Sequence, residues 1–88
     1  MVTLIEIQKK LAEEIKNSGL TQTAIAKKLG IKQPTVGQYL SGRAMPALDT
    51  FANLCIILDV DPADILGTNN EKTKKNNYIF NIQNNYNK

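Results

Sequence analysis

Four glycines, Gly19, Gly30, Gly42 and Gly67, cut the first 67 residues into short segments, and this punctuation limits the possible fold more than any other feature. Within each segment apolar residues recur three and four apart, the period of one face of a helix. Leu4, Ile7, Leu11 and Ile15 make the first such set, and Ile25, Ala26 and Leu29 the second. Val36, Tyr39 and Leu40 form the third, and Leu48, Phe51, Leu54, Cys55 and Leu58 the fourth. A helix commonly ends on a left-handed residue, which glycine adopts without steric cost. The pattern therefore predicts short helices, each carrying one inward apolar stripe.

Start signals agree with these stops. Thr3 and Glu6 have the T-x-x-E spacing of a capping box at the head of the first set. Thr21 is a good N-cap for the second helix. Pro34 fits the first turn of the third, where a missing N–H costs nothing. Asp61-Pro62-Ala63-Asp64 opens a fifth helix, with Asp61 as N-cap, Pro62 at its start and Asp64 near the positive helix end. Five short helices with connections of a few residues imply an all-α domain over residues 1–67, dominated by local contacts.

Composition narrows the chemistry. Histidine is absent, serine occurs only at positions 18 and 41, and Cys55 is the single cysteine. The commonest general base and the commonest metal ligand are therefore missing. A lone cysteine inside an apolar stretch reads as a small core residue rather than a redox or metal site. The expectation is a non-enzymatic protein with no cofactor and no metal. No apolar run approaches the ~20 residues of a membrane span, and the N-terminus lacks the pattern of a signal peptide. A cytoplasmic location is expected.

Residues 1–67 hold seven basic and seven acidic side chains and are neutral. Their distribution is uneven. From Ile15 to Leu48 the charges are Lys16, Lys27, Lys28, Lys32 and Arg43, with no acid among them. An acid-free basic stretch flanked by acidic ones suits phosphate. An ordinary solvated surface gives the same pattern, so charge alone leaves both readings open.

The segment from Leu20 to Leu66 reads LTQTAIAKKLGIKQPTVGQYLSGRAMPALDTFANLCIILDVDPADIL. It resembles the helix-turn-helix domain of the Cro and C-type phage repressors and their bacterial relatives, the xenobiotic-response-element group. The match is carried by Gln22, Ile25, Ala26, Leu29-Gly30-Ile31, Gln33, Thr35, Val36, Tyr39 and Gly42. Beyond them it continues through Pro46, Leu48, Thr50, Phe51, Ala52, Leu54, Leu58 and Val60. With the first helix it extends over about residues 3 to 67. The resemblance implies a five-helix lambda-repressor-like fold that binds double-stranded DNA through the major groove.

It also implies roles. The third helix, Gln33 to Leu40, is the recognition helix. Gln33, Pro34, Thr35 and Gln38 stand where the family meets bases. Gln22 and Arg43 stand where it meets phosphate, and Gln22 also braces the start of the recognition helix. Thr21, at the positive end of the second helix, and Lys32, by position alone, are further phosphate candidates. The residue types suit these roles, since glutamine can pair with adenine N6 and N7 and threonine offers a hydroxyl and a methyl. Three positions depart from the family pattern. Lys32 stands where a Ser or Thr cap is frequent, Gly37 replaces a larger residue inside the recognition helix, and Ala47 replaces a capping residue before the fourth helix.

After Gly67 the composition changes. Residues 68–88 contain eight asparagines and carry a net charge of +3. The first part reads as a polar linker. In the second, Tyr78, Phe80, Ile82 and Tyr86 fall on one parity, a strand pattern, while Ile79, Ile82 and Tyr86 also fit one helix face. A disordered end is the third reading. A lone strand leaves its backbone groups unsatisfied. An ordered strand here would pair with a second copy, making Tyr78, Ile79, Phe80, Ile82 and Tyr86 a dimerisation element. The function expected is thus a sequence-specific transcriptional regulator, a repressor binding a palindromic operator as a homodimer. The alternative is an antitoxin or protein-interaction adaptor using the same fold.

Overall fold

The computed structural model describes residues 1–69. They form five helices: α1 (Leu4–Asn17), α2 (Gln22–Leu29), α3 (Gln33–Ser41), α4 (Leu48–Leu58) and α5 (Pro62–Leu66). Among the described residues there is no strand, and no helix is long and apolar enough to cross a membrane. The residues of the expected dimerisation strand, Tyr78, Ile79, Phe80, Ile82 and Tyr86, lie outside the described residues.

One apolar cluster joins all five helices. It contains Leu11 and Ile15 from α1, Ile25 and Ala26 from α2, Val36 and Tyr39 from α3, Phe51, Leu54, Cys55 and Leu58 from α4, and Ile65 from α5. Burying each large aliphatic or aromatic side chain contributes roughly 1.5–3 kcal/mol. Helix α3 packs against both α1 and α2, while α4 packs on α2 and α5 on α1. The third helix thus rests on two others, and its remaining side faces solvent. Cys55 is only 2% exposed. Burial, and secondarily the Asp61 carboxylate, pushes its thiol pKa up. It stays protonated and inert, as a core residue should.

Leu4 and Leu48 correct the sequence pattern. Both fall on an apparent inward stripe, yet they are 65% and 87% exposed. Each is the first residue of its helix. Periodicity identifies a face but not how far along the helix a packed neighbour extends.

The helix ends follow the start and stop signals. The Thr3 hydroxyl accepts from the Glu6 N–H at 3.2 Å, and the Glu6 carboxylate accepts from the Thr3 N–H at 2.8 Å, completing the capping box. Asp61 accepts from the Ala63 N–H at 2.9 Å. Helix α4 starts at Ala47 without a side-chain cap. It stops on Asp59 at φ 57°, the only non-glycine with positive φ among the described residues. Aspartate is one of the few residues that tolerates this region.

The capping box should respond to pH. Hydrogen bonds from the Thr3 backbone N–H and then its hydroxyl hold the Glu6 carboxyl below the usual glutamate range. Its folded-state pKa is depressed, so its contribution is complete above the ordinary glutamate pKa. It is lost as pH falls through the folded value. Amide exchange at the start of α1 should accelerate relative to the rest of the domain on acidification, and Glu6→Gln, which removes the titrating group, should abolish that difference.

Candidate nucleic-acid interface

The turn between α2 and α3 is three residues long, Gly30-Ile31-Lys32. Gly30 sits at φ 73°, with its N–H shared between the Ala26 and Lys27 carbonyls. The Ile31 N–H then reaches back to the Ala26 carbonyl at 3.0 Å. This Schellman-type closure needs a left-handed residue at Gly30, where a side chain would be strained. It reverses the chain sharply enough to lay α3 against α2. Ala26, 3% exposed, provides the close approach.

Within α3, Val36 and Tyr39 point into the core. Gln33, Pro34, Gln38 and Ser41 are exposed, and Thr35 and Gly37 are half-buried. Residues 34, 38 and 41 follow one helical stripe, with 33 and 35 on its two flanks. The structure thus brings the four expected base-contacting residues, Gln33, Pro34, Thr35 and Gln38, onto one outward surface. That surface combines two carboxamides, a hydroxyl with its methyl, and a proline ring. It can donate, accept and make apolar contact, as base edges in a major groove require.

The expected phosphate residues surround it. Gln22 is the first residue of α2 and Gln33 the first of α3. The Gln33 Nε2 donates to the Gln22 Oε1 at 2.6 Å, joining the two helix starts. The Thr21 hydroxyl accepts from the Ala24 N–H at 3.0 Å. Its own proton remains available to donate. Such a helix start, with its outward N–H groups and positive dipole end, is suited to an anion. Lys32 precedes α3 and Arg43 follows its terminating Gly42, so the two cations bracket the helix. Both are exposed. The only ion pair among the described residues joins Lys10 to Glu13 at 3.2 Å. Neither Lys32 nor Arg43 is engaged with a carboxylate there. Lys32 makes no side-chain cap, so the departure from a Ser or Thr leaves its ammonium free of the helix it precedes.

One contributor was not anticipated. The Gln8 Nε2 donates to the Tyr39 carbonyl at 3.1 Å and to the Leu40 carbonyl at 3.3 Å. It binds carbonyls of the last turn of α3 from the side of α1. At Gly42, whose φ is +83°, a Cβ would lie 3.1 Å from the Gln8 Cδ. Gln8 belongs to the stripe Gln8, Leu11, Ala12 and Ile15, of which the last three are buried. A polar residue on a buried stripe is the signal that could have singled it out. Among the described residues no group of three or more His, Cys, Asp or Glu could hold a metal ion.

Two helices at a tight glycine turn, with the second presenting a polar surface between cations, define a helix-turn-helix. A family model described as helix-turn-helix matches residues 11–65. The chain belongs to that family. No curated protein matches the chain in sequence. Among solved structures, it is similar to the SOS-response transcriptional repressor LexA from Eubacterium rectale, with a TM-score of 0.63 and 24% identity. That alignment covers 70% of this chain and 66% of the LexA chain, just under two thirds, and at this identity shows the fold alone. It is also similar to the restriction-modification controller protein C.AhdI from Aeromonas hydrophila. There the TM-score is 0.61 at 26% identity, covering 70% of this chain and 94% of that one.

Proposed function

We propose that this protein is a transcriptional regulator that reads the major groove with α3, binds a palindromic operator as a homodimer and represses by occupying it in the cytoplasm. The observation that carries this reading is the Gln22–Gln33 bond at the exposed starts of α2 and α3. It prepositions one base-reading amide beside one phosphate-binding residue before any DNA arrives. In this reading Gln33, Pro34, Thr35 and Gln38 meet bases, while Thr21, Gln22, Lys32 and Arg43 meet the backbone. The likeness to a controller protein supports a regulatory role. Residues 78–86 are proposed to pair with a second copy.

Binding measured on promoter fragments at two or more salt concentrations tests the reading. Gln33→Ala and Gln38→Ala should each lose about 1–3 kcal/mol of discrimination at one base pair of a half-site, with non-specific binding little changed. Lys32→Ala and Arg43→Ala should weaken binding to every sequence and reduce the salt slope by ~1 each. Equal losses on all sequences from the glutamine variants would remove them as base readers. The neutral charge of residues 1–67 favours a second reading, an antitoxin or adaptor built on this fold. Absence of DNA binding at low salt would support it.

A further inference from the structure

Gly37 lies in the middle of α3, where glycine is a poor choice. It lacks a positive φ, so the backbone does not require it, and alanine there would favour the helix. A Cβ built at position 37 would meet one atom within 4 Å, the Gln22 Oε1 at 3.3 Å. That same oxygen accepts the 2.6 Å bond from the Gln33 Nε2. The carboxamide of Gln22 therefore lies across α3 above Gly37, one turn along from Gln33.

We propose that Gly37 is a specificity-determining residue: the space left by its missing Cβ seats the Gln22 carboxamide, which fixes the orientation in which Gln33 meets a base. This rests on the base-reading role proposed for Gln33. One N–H of the Gln33 amide is committed to Gln22. Its second N–H and its carbonyl are left to meet a base, a donor and an acceptor of the kinds that N7 and N6 of adenine require. A methyl group at 37 pushes the Gln22 oxygen by a few tenths of an ångström. At 2.6 Å the bond to Gln33 is already short, so the oxygen has no room to move closer and must turn aside. The Gln33 amide is then held less firmly and can offer its groups in either order more readily. Gly37 acts on the base only through two side chains, as a positioning residue.

Gly37→Ala tests this with two measurements. The first is binding to half-sites carrying each of the four base pairs at the position read by Gln33. Wild-type discrimination of about 5–150-fold should fall towards that of Gln33→Ala, while the melting temperature stays level or rises by up to about 4–8 °C. The second uses free protein and needs no DNA: the side-chain amide NMR signals of Gln33 should move from values of a held amide to those of an exposed one. In a Gln22→Ala background, Gly37→Ala should change neither readout further. Unchanged Gln33 amide signals in Gly37→Ala overturn the proposal, whatever the binding does. Retained discrimination overturns it as well. If the wild type discriminates nothing at that position, the base-reading role fails and specificity with it, while the amide spectra still decide whether Gly37 seats Gln22.

Discussion

Leu54→Ala should remove a large share of the stability of the helical domain. Leu54 is fully buried in the cluster that joins all five helices. Truncating such a leucine costs about 2–5 kcal/mol, from lost transfer energy and the cavity left behind. At roughly 0.05–0.15 kcal/mol per residue, a domain of this size has only about 3–10 kcal/mol in total. One substitution therefore consumes a large share of it. Urea unfolding followed by circular dichroism gives the loss directly. Leu48→Ala is the control, because Leu48 is 87% exposed on the same helix and its truncation should stay within about 0.5 kcal/mol. Similar losses for the two would mean that the inward face of α4 is not the one described.

Deleting residues 76–88 should uncouple DNA reading from assembly. The helical domain should keep its circular dichroism and its melting behaviour, since the five helices share a core without the tail. Sedimentation over a concentration series should show a shift towards monomer. One recognition helix reads few base pairs, and two related by a two-fold axis read half-sites about 34 Å apart. Linking two such modules raises apparent affinity by about 10²–10⁴ without any new contact. Affinity for a full palindrome should fall by up to that factor, while affinity for an isolated half-site should barely move. An unchanged oligomeric state would remove the tail as the interface. Attention would then pass to α4, where Ile56, 76% exposed, lies in a groove with Ala52, Val60 and Pro62.

Much of this architecture was legible from local chemistry. Gly30, Gly42 and Gly67 end their helices in the left-handed region as their positions suggest. Thr3, Thr21 and Asp61 cap as their residue types suggest. These features depend on neighbours within five residues, which sequence displays. Other features depend on contacts across the fold, and a linear pattern does not encode them. The exposure of Leu4 and Leu48 depends on where adjacent helices stop. The bond from Gln8 to the end of α3 spans more than thirty positions. Asp59 as a helix terminator was not foreseen, because no glycine marks it. For the interface, the family pattern indicated which residues gather around α3. It did not indicate that Gln22 sits over Gly37, whose missing side chain reads in sequence only as a weak point in a helix.

Helix α3 is tied at both ends by glutamine. At its start the Gln33 side chain is joined to Gln22, and at its end the Gln8 amide binds two of its carbonyls. A carboxamide carries no charge at any pH a cell meets, and ionic strength screens only charges. The pose of α3 is therefore insulated from the ionic conditions that, in the proposed complex, would govern how tightly Lys32 and Arg43 hold the backbone. Such a protein can occupy DNA more or less often as its surroundings change without altering the sequence it prefers. On the proposed contacts, its occupancy and its vocabulary would be set by separate chemistries, and selection could adjust either one alone.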